Sequence, residues 1–313
     1  WILPFLGVYY IIENPICLEN DMSLRSLSQT RSIFIFKRSL LVLFFVLFAL
    51  MDLWGTDYVW NLDSNDGDWS NSLNWWDGTA YGTGVPGAGD TATIQSTTNG
   101  PPATNIPANL QLSGLTISTN WDIRTLTSVT INGDLTVTAG TLTLGNYNTT
   151  VTGNISGAGT LNLNNGGMIN VGGDLTLGTL INVTGATLVF TGSGNQSLTS
   201  NSQSLENVNI NKPSGTFTAT DSTTLTGNLT VTNSVGVTFQ NTVTAATITL
   251  TNTTGTIDFQ GAVTATSLTT AAQGYNVRFR NGGTITNAVT FSNTGSLTID
   301  AGFTFTGGVT KTV

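Results

Sequence analysis

The side chains that could carry out chemistry are few in this chain, and their types exclude several classes of enzyme. The 313 residues include no histidine and one cysteine, Cys17. Without histidine the chain cannot build a Ser-His-Asp triad, a Cys-His pair or a Cys/His zinc site. After residue 121 the carboxylates are single and widely spaced: Asp122, Asp134, Asp174, Glu206, Asp221, Asp258 and Asp300. Because glycoside hydrolysis requires two carboxylates at one bond, we predict no catalytic residues.

An acidic run near residue 63 is the candidate for a metal site. Asp63, Asn65, Asp66 and Asp68 offer the oxygen ligands that calcium prefers. Their spacing departs from an EF-hand loop, because no glycine follows a third ligand at position 5 and no glutamate occupies position 12. We interpret the run as an acidic turn, with weak calcium binding as the alternative and with no other cofactor.

Three other sets of residues have both a functional and a structural interpretation. Clustered tryptophans could stack on sugars, but in a small module they are more often its core. Two arginines flank Phe279 and should point outward, where solvated arginines are common. Thr-x-Thr pairs on a flat β-face can order water and bind ice, but these pairs do not share one register, so β-propensity explains them more simply. The sets are Trp60, Trp69, Trp75 and Trp76; Arg278 and Arg280; and Thr136/Thr138, Thr141/Thr143, Thr230/Thr232 and Thr249/Thr251.

A short phrase that returns at a fixed interval indicates the architecture. Ile131–Leu135 recurs as Val151–Ile155 and again as Val171–Leu175, and Leu225–Leu229 repeats it in a shifted phase. A constant period of about 20 residues is typical of a solenoid, in which each repeat is one coil. Apolar residues occur between repeats as short alternating pairs, which predict strands with one buried face. We therefore predict an all-β fold, a right-handed parallel β-helix with about 20 residues per coil.

Within the phrase, a glycine and a short polar residue form the corner of each coil. The corner residues are Gly133 and Asp134, Gly153 and Asn154, Gly173 and Asp174, and Gly227 and Asn228. Asparagine replaces aspartate in two copies, so the carboxylate is dispensable and a structural role is favoured. We expect these corners to use the left-handed backbone conformation that glycine and asparagine tolerate. Stacking also predicts that Asn154 separates two like charges.

Composition and charge limit the partners of the chain. Only 8% of the residues are charged, against about a quarter in ordinary globular proteins. The segment up to Gly55 carries four basic and four acidic side chains, so the net charge of −8 belongs to the rest. An acidic body with few lysines and arginines argues against nucleic acid, which requires a basic footprint.

The segment that precedes Thr56 differs from the rest of the chain. Lys37 and Arg38 precede an unbroken apolar run, Leu40–Met51, which predicts a secretory signal peptide. This run is too short for an ordinary membrane-spanning helix, which requires about 20 apolar residues. The alternative is an uncleaved signal anchor that also includes Ile33–Phe36, although Lys37 and Arg38 would interrupt it. We expect a leader at 1–36, a signal peptide at 37–55, a capping module at 56–109 and coils at 110–313. The coils stop in mid-pattern, so we expect further coils after Val313.

Two segments resemble a known class of proteins. One is the pattern W-N-x(6)-G-D-W-S-x(3)-N-W at Trp60–Trp75, followed by V-P-G-x-G-D-T-A-T-I at Val85–Ile94. The other is F-x-G-x-G-x-Q at Phe190–Gln196, followed by L-x-N-V-x-I-N-K at Leu205–Lys212. Both resemble segments of bacterial surface proteins with β-helical bodies, which include autotransporter-passenger-like and adhesin-like proteins. The resemblance implies that the tryptophan-rich module caps the first coil.

The sequence thus favours an exported structural or adhesive protein, secreted or associated with the outer membrane at the cell surface. It would act as a rigid stalk or extended binding surface for a host or matrix glycan or protein, with no membrane segment in the mature body. The alternative is a carbohydrate-active β-helix, similar to polysaccharide lyases or hydrolases, whose catalytic coils are missing or unrecognised.

Overall fold

Stretches rich in threonine and valine form short strands, because β-branched side chains favour extended backbone. The computed structural model describes residues 55–312 except 61–65, 96–105, 108, 126, 164–165, 177, 182 and 301. In those residues thirty strands and a 3-10 turn at Ser72–Asn74 occur, without an α-helix. No helix in this part of the chain is therefore long or apolar enough to cross a membrane. The predicted leader and signal peptide lie outside the described residues.

The strands are, in chain order, β1 Asp57–Trp60, β2 Trp75–Trp76, β3 Thr91–Gln95, β4 Gln111–Leu112, β5 Gly114–Arg124, β6 Val129–Ile131, β7 Leu135–Thr143, β8 Asn148–Val151, β9 Ile155–Ser156, β10 Thr160–Asn162, β11 Met168–Val171, β12 Leu175–Thr176, β13 Thr179–Ile181, β14 Thr187–Phe190 and β15 Gln196–Thr199. They continue as β16 Ser204–Leu205, β17 Asn207–Asn211, β18 Thr216–Ala219, β19 Thr223–Leu225, β20 Asn228–Asn233, β21 Gly236–Phe239, β22 Val243–Leu250, β23 Thr256–Phe259, β24 Val263–Thr270, β25 Asn276–Phe279, β26 Gly283–Ile285, β27 Val289–Phe291, β28 Leu297–Ile299, β29 Phe303–Phe305 and β30 Val309–Lys311.

Parallel pairing between the strands of successive coils confirms the predicted β-solenoid. A sheet of fifteen strands contains the first row, which runs β1, β3, β5, β7, β9, β12, β15, β18, β21, β23, β25 and β28. A sheet of thirteen strands contains the third row, which runs from β4 through β6, β8, β11, β14, β17 and β20 to β22 and β24. A middle row lies between them along the chain, so each coil has three strand positions.

The middle row changes sheets halfway along the solenoid. In the early coils it is joined to the first row, because β5 and β7 are long strands and β10 and β13 pair within the fifteen-stranded sheet. From β16 onward it pairs within the thirteen-stranded sheet, where β22 and β24 span the middle and third rows. The change coincides with coils of unequal length, since Leu175 pairs with Leu198 and Leu198 with Ala219.

Apolar side chains at alternate positions point inward and form one continuous core from Tyr58 to Phe291. Phe239, Phe259 and Phe279 occupy one inward position in successive coils, with ring centroids 5.1 Å apart at each step. This aromatic stack fills the solenoid where the period of the coils is most regular.

The tryptophan-rich segment closes one end of the first row. Trp60, Trp69 and Trp75 are buried, and the ring of Trp75 lies 4.9 Å from that of Trp60 and 4.5 Å from that of Trp69. Strand β2 pairs antiparallel with β1, which covers the outer edge of the first row. Trp76 is half-buried against Tyr81. The rings therefore form a core, as expected, rather than an exposed platform for sugars.

Candidate functional site

The first three copies of the repeated phrase stack at the corner between the third row and the first row. Asp134 Oδ1 accepts a hydrogen bond of 2.7 Å from the backbone N–H of Asn154. Asn154 Oδ1 accepts one of 2.8 Å from Asp174 N–H, and Asp174 Oδ1 accepts one of 2.7 Å from Ser197 N–H. Each side-chain oxygen thus satisfies a backbone donor of the next coil, which aspartate and asparagine do equally well.

Close approach of the neighbouring coil explains the glycines at this corner. A Cβ at Gly153 would lie 2.3 Å from Asp134 Oδ1 and 2.6 Å from the carbonyl oxygen of Gly133. A Cβ at Gly173 would lie 2.5 Å from Asn154 Oδ1. Among the described residues, none of these corner positions has a positive φ. The expected left-handed conformation is therefore wrong here, and glycine is needed for space.

The fourth copy of the phrase belongs to a different bend. Leu225 ends β19 and Leu229 lies in β20, and both strands pair within the thirteen-stranded sheet. Asn228 donates its backbone N–H to Asn207 Oδ1 at 2.9 Å. A Cβ on Gly227 would lie 2.5 Å from the same oxygen. The same chemistry thus recurs at a second corner, in agreement with the shifted phase.

The structure describes half of the calcium candidate, since Asp63 and Asn65 lie outside the described residues. Asp66 accepts hydrogen bonds of 2.7 Å from the side-chain amides of Asn71 and Asn74, and Asp68 Oδ1 accepts from both the N–H and the hydroxyl of Ser70. In the described part of the chain, no three carboxylate, cysteine or histidine side chains cluster as metal ligands would. Calcium binding stays a prediction that these contacts do not test.

A buried lysine lies where the coils change length, and sequence reasoning missed it. Lys212 is fully buried, and its ammonium donates to the carbonyl oxygens of Gly192 at 2.7 Å and Gly194 at 2.9 Å. Its third bond goes to Gln196 Oε1. The segment Lys212–Gly215 forms a turn, with a φ of 71° at Gly215. The motif at Phe190–Gln196 and Leu205–Lys212 thus has a structural role, because its glycines, glutamine and lysine form one polar cage.

Gln196 connects this cage to the preceding coil. Its Nε2 donates to Val171 O at 2.9 Å and Gly173 O at 2.6 Å, while its Oε1 also accepts the N–H of Gly192. Burial lowers the pKa of Lys212 to about 8, and the charge of Asp174 acts in the opposite direction. At neutral pH the ammonium form still predominates and fills all three acceptors.

The outer face of the first row carries a shallow groove of about 420 Å³ in its later coils. One outward position runs through Thr218, Thr238, Asp258, Arg278 and Thr298 in successive coils. The groove is lined by hydroxyl, amide and charged groups from Thr216, Thr218, Thr238, Thr256, Asp258, Asn276, Arg278, Arg280, Ser296 and Thr298. Such a lining can form hydrogen bonds with a polar ligand such as a sugar.

Both arginines in the groove are paired, which corrects the expectation of freely solvated side chains. Arg280 Nε and Nη2 bond the two oxygens of Asp258 at 2.8 and 2.7 Å, and Arg278 Nη2 lies 3.3 Å from Asp300 Oδ2. Burial works to raise the pKa of Asp258. Hydrogen bonds from Arg280 and Gln260, with the charges of both arginines, outweigh burial and hold that pKa below its ordinary value.

The carboxylates of the coils are engaged by groups of the chain itself. Asp122 pairs with Arg124, Glu206 accepts the Thr226 hydroxyl, and Asp221 accepts the N–H and hydroxyl of Ser200. The sequence alone could have revealed the ion pairs of the groove, because one period of the repeat aligns Asp258 with Arg278 and places Arg280 two residues further along the same strand region.

The chain matches no protein-family model, no curated protein and no solved structure.

Substitution of Gly153 by alanine tests the close approach at the corner. The new Cβ meets backbone atoms of Gly133 that cannot move independently, so we expect a loss of about 1–3 kcal/mol in the free energy of unfolding. Gly274→Ala is the matched control, since nothing lies within 4 Å of its Cβ position and its φ is not positive. Equal stability of both variants in denaturant titrations would contradict the argument.

Substitution of Asn154 by aspartate tests the stacking of charge. The new carboxylate can still accept from Asp174 N–H, but it lies between Asp134 and Asp174 in adjacent coils. At a separation of about 4.8 Å the repulsion is screened by salt. We expect a lower melting temperature, and a larger decrease at low salt than at high salt. Asn154→Ala, which adds no charge, should show no such salt dependence; a salt-independent effect in both would rule out this arrangement.

Substitution of Lys212 by methionine tests the cage. At pH 7 the variant leaves buried carbonyl oxygens without a donor, at a cost of about 1–3 kcal/mol for each unpaired group. Because the pKa of Lys212 falls to about 8 on folding, the unfolded chain binds more protons between pH 8 and about 10.5. The stability advantage of the native chain over the variant should therefore rise with pH across that window. A constant difference in unfolding free energy from pH 7 to 10 would refute the assignment.

Proposed function

We propose that this protein is an exported, cell-surface structural or adhesive rod. The observation that carries the proposal is the unbroken stack of coils. Twelve parallel rungs of the first row share a single core, and at about 4.8 Å per rung they extend for roughly 50 Å. A solenoid whose coils contact only their neighbours is suited to project or present a surface over distance.

The outward side chains support a binding role in which the contacts with a partner are distributed over the outer faces of the strands. Most are threonine, serine and asparagine, which offer hydrogen bonds without strong charge. The groove around Asp258, Arg278 and Arg280 is the one place among the described residues where ion pairs cluster on a strand face. A glycan or protein of a host or matrix is the class of partner that such polar faces suit.

The cage of Lys212 gives a structural reason for one of the motifs that resemble surface proteins. Its residues are those that the motif specifies, and they stabilise a coil of irregular length. The apolar run Leu40–Met51 supports export, and the acidic body, with few cations, supports a partner other than nucleic acid.

A carbohydrate-active enzyme is the second candidate, and the groove is the observation that favours it. Asp258 lies at its centre, but Arg280 holds that carboxylate in its ionised form. It could stabilise positive charge or act as a base, but it is poorly suited to donate a proton.

Location and binding can be tested with one preparation. Antibodies raised against the chain should label intact cells of the native host, and external protease should remove that label. The purified chain should be retained on particular glycans or matrix proteins in an array without releasing sugar fragments. Signal that is protected inside intact cells would contradict export. Fragment release that is lost in Asp258→Asn would instead support the enzyme.

A further inference from the structure

One face of the later coils carries two columns of exposed threonines. In the middle row of five successive coils, an outward threonine is followed two residues later by a second exposed residue, which is threonine in four of the five coils. We call these positions the threonine array: Thr224 and Thr226, Thr244 and Ala246, Thr264 and Thr266, Thr284 and Thr286, and Thr304 and Thr306. Nine of the ten positions are threonine and all ten are exposed. The Thr-x-Thr pairs that the sequence alone suggested all lie outside this set.

Strand pairing aligns the array from coil to coil. Thr224, Thr244, Thr264, Thr284 and Thr304 are each paired with the next across adjacent strands. The second column follows, since Ala245 pairs with Ala265 and Ile285 with Phe305 immediately before it. The residues on either side of Thr224, Thr244 and Thr264 are buried, as Val263 and Ala265 are beside Thr264. The first-column threonines therefore project from a regular sheet, and Thr226, Thr286 and Thr306 follow directly after the strands that carry it.

The hydroxyls of the array are available to bind a ligand. Within the array, which lies wholly in the described part of the chain, only the hydroxyl of Thr226 bonds to protein groups, which are Leu205 O and Glu206. On neighbouring faces threonine hydroxyls bond each other, as Thr269 does with Thr249 and Thr290 with Thr310.

The array is also free of charge, although the same coils carry charge elsewhere. The outward position of the first row changes from threonine to Asp258 and Arg278 in the coils that carry Thr264 and Thr284. β-propensity alone would accept several residue types at exposed positions, as that row shows. Threonine at nine of ten positions on one face therefore indicates a requirement for a hydroxyl and a methyl at fixed points.

The geometry points to a surface that binds ice. The hydroxyls of the first column recur at about 4.8 Å between coils, which is close to one oxygen repeat of hexagonal ice, and the second column adds hydroxyls two residues further along the chain. β-branching restricts χ1, so each hydroxyl and methyl keeps one position with little entropy left to lose. Methyl groups order the water around them, and the hydroxyls can take lattice positions in that water. A neutral array matches a neutral lattice, whereas a charged side chain would retain its own hydration shell.

This inference deepens the proposed function, since it names a surface that the rod would bind. The test uses the purified full-length chain and measures thermal hysteresis and partition into a slowly growing ice hemisphere. We expect the native chain to shape ice crystals and to be enriched in the ice relative to an inert protein of similar mass. Thr264→Lys and Thr284→Lys should each lose most of this activity, because a long charged side chain keeps the array from contacting the lattice.

Two further variants provide controls. Thr269→Lys places the same side chain at an exposed position of the same strand, β24, outside the array, and should leave ice activity unchanged. Ala246→Thr fills the one gap in the columns and should raise the activity. Circular dichroism and melting curves establish that each variant is folded.

Several outcomes would overturn the inference. They are a native chain that is excluded from ice like the inert protein, equal loss in Thr264→Lys and Thr269→Lys, no gain in Ala246→Thr, or retention on crystalline cellulose or chitin without ice activity. Surface labelling of intact cells is scored separately. A labelled chain without ice activity refutes this inference alone, while an ice-active chain confined inside cells refutes the proposed export alone.

Discussion

Hydrogen bonding between coils is the constraint on which the rest of this structure depends. Each backbone segment must pair with the corresponding segment of the next coil, at a separation of about 4.8 Å. Each side chain therefore lies next to the side chain at the same position of the next coil. Size and charge are limited in each such column, and this limit explains why glycine is repeated at Gly133, Gly153 and Gly173. It also explains why the oxygens of Asp134 and Asn154 can serve the same purpose.

Inside the solenoid the same constraint produces columns of apolar groups. Phe239, Phe259 and Phe279 stack nearly parallel, with interplanar angles of 6° and 4°, because a constant period superimposes them. Where the period lengthens, between Leu175 and Leu198, the two leucines still pair and stay buried, and a polar cage forms at the longer corner that precedes Leu198. Lys212 is buried there because its ammonium donates hydrogen bonds to two backbone carbonyl oxygens and to the side-chain amide oxygen of Gln196. The tryptophan cluster likewise fills the end of the core at which β2 is the last strand of the sheet among the described residues.

The fold was predictable because the period is visible in the sequence, while the pairing of particular side chains was not. The step from Gly133 to Gly153 predicts the stack, but it does not reveal that the glycines give room and have ordinary φ values. Lys212 begins a turn, and lysine is so seldom buried that the sequence alone does not indicate its cage, which residues of the preceding coil complete. To predict the ion pairs of the groove or the threonine array, one must know which residues of successive coils lie side by side. The two longer coils that end at Leu198 and Ala219 shift this alignment before either feature begins. Beyond Ala219 the first and middle rows keep a step of 20 residues, so addition of one period would have found both.

The unequal coils show which lengths of inserted sequence this architecture tolerates. An insertion within the span from Leu175 to Ala219 can be absorbed, because the chain there already departs from the period and the cage ties it together. In the later coils, a duplication of one full period would lengthen the threonine array by two hydroxyls and preserve every existing contact. A duplication one residue longer would exchange the inner and outer faces of the strands that follow it unless a corner absorbed the extra residue, as happens between Leu198 and Ala219. The protein can therefore change its reach, or the extent of its exposed face, only in whole coils.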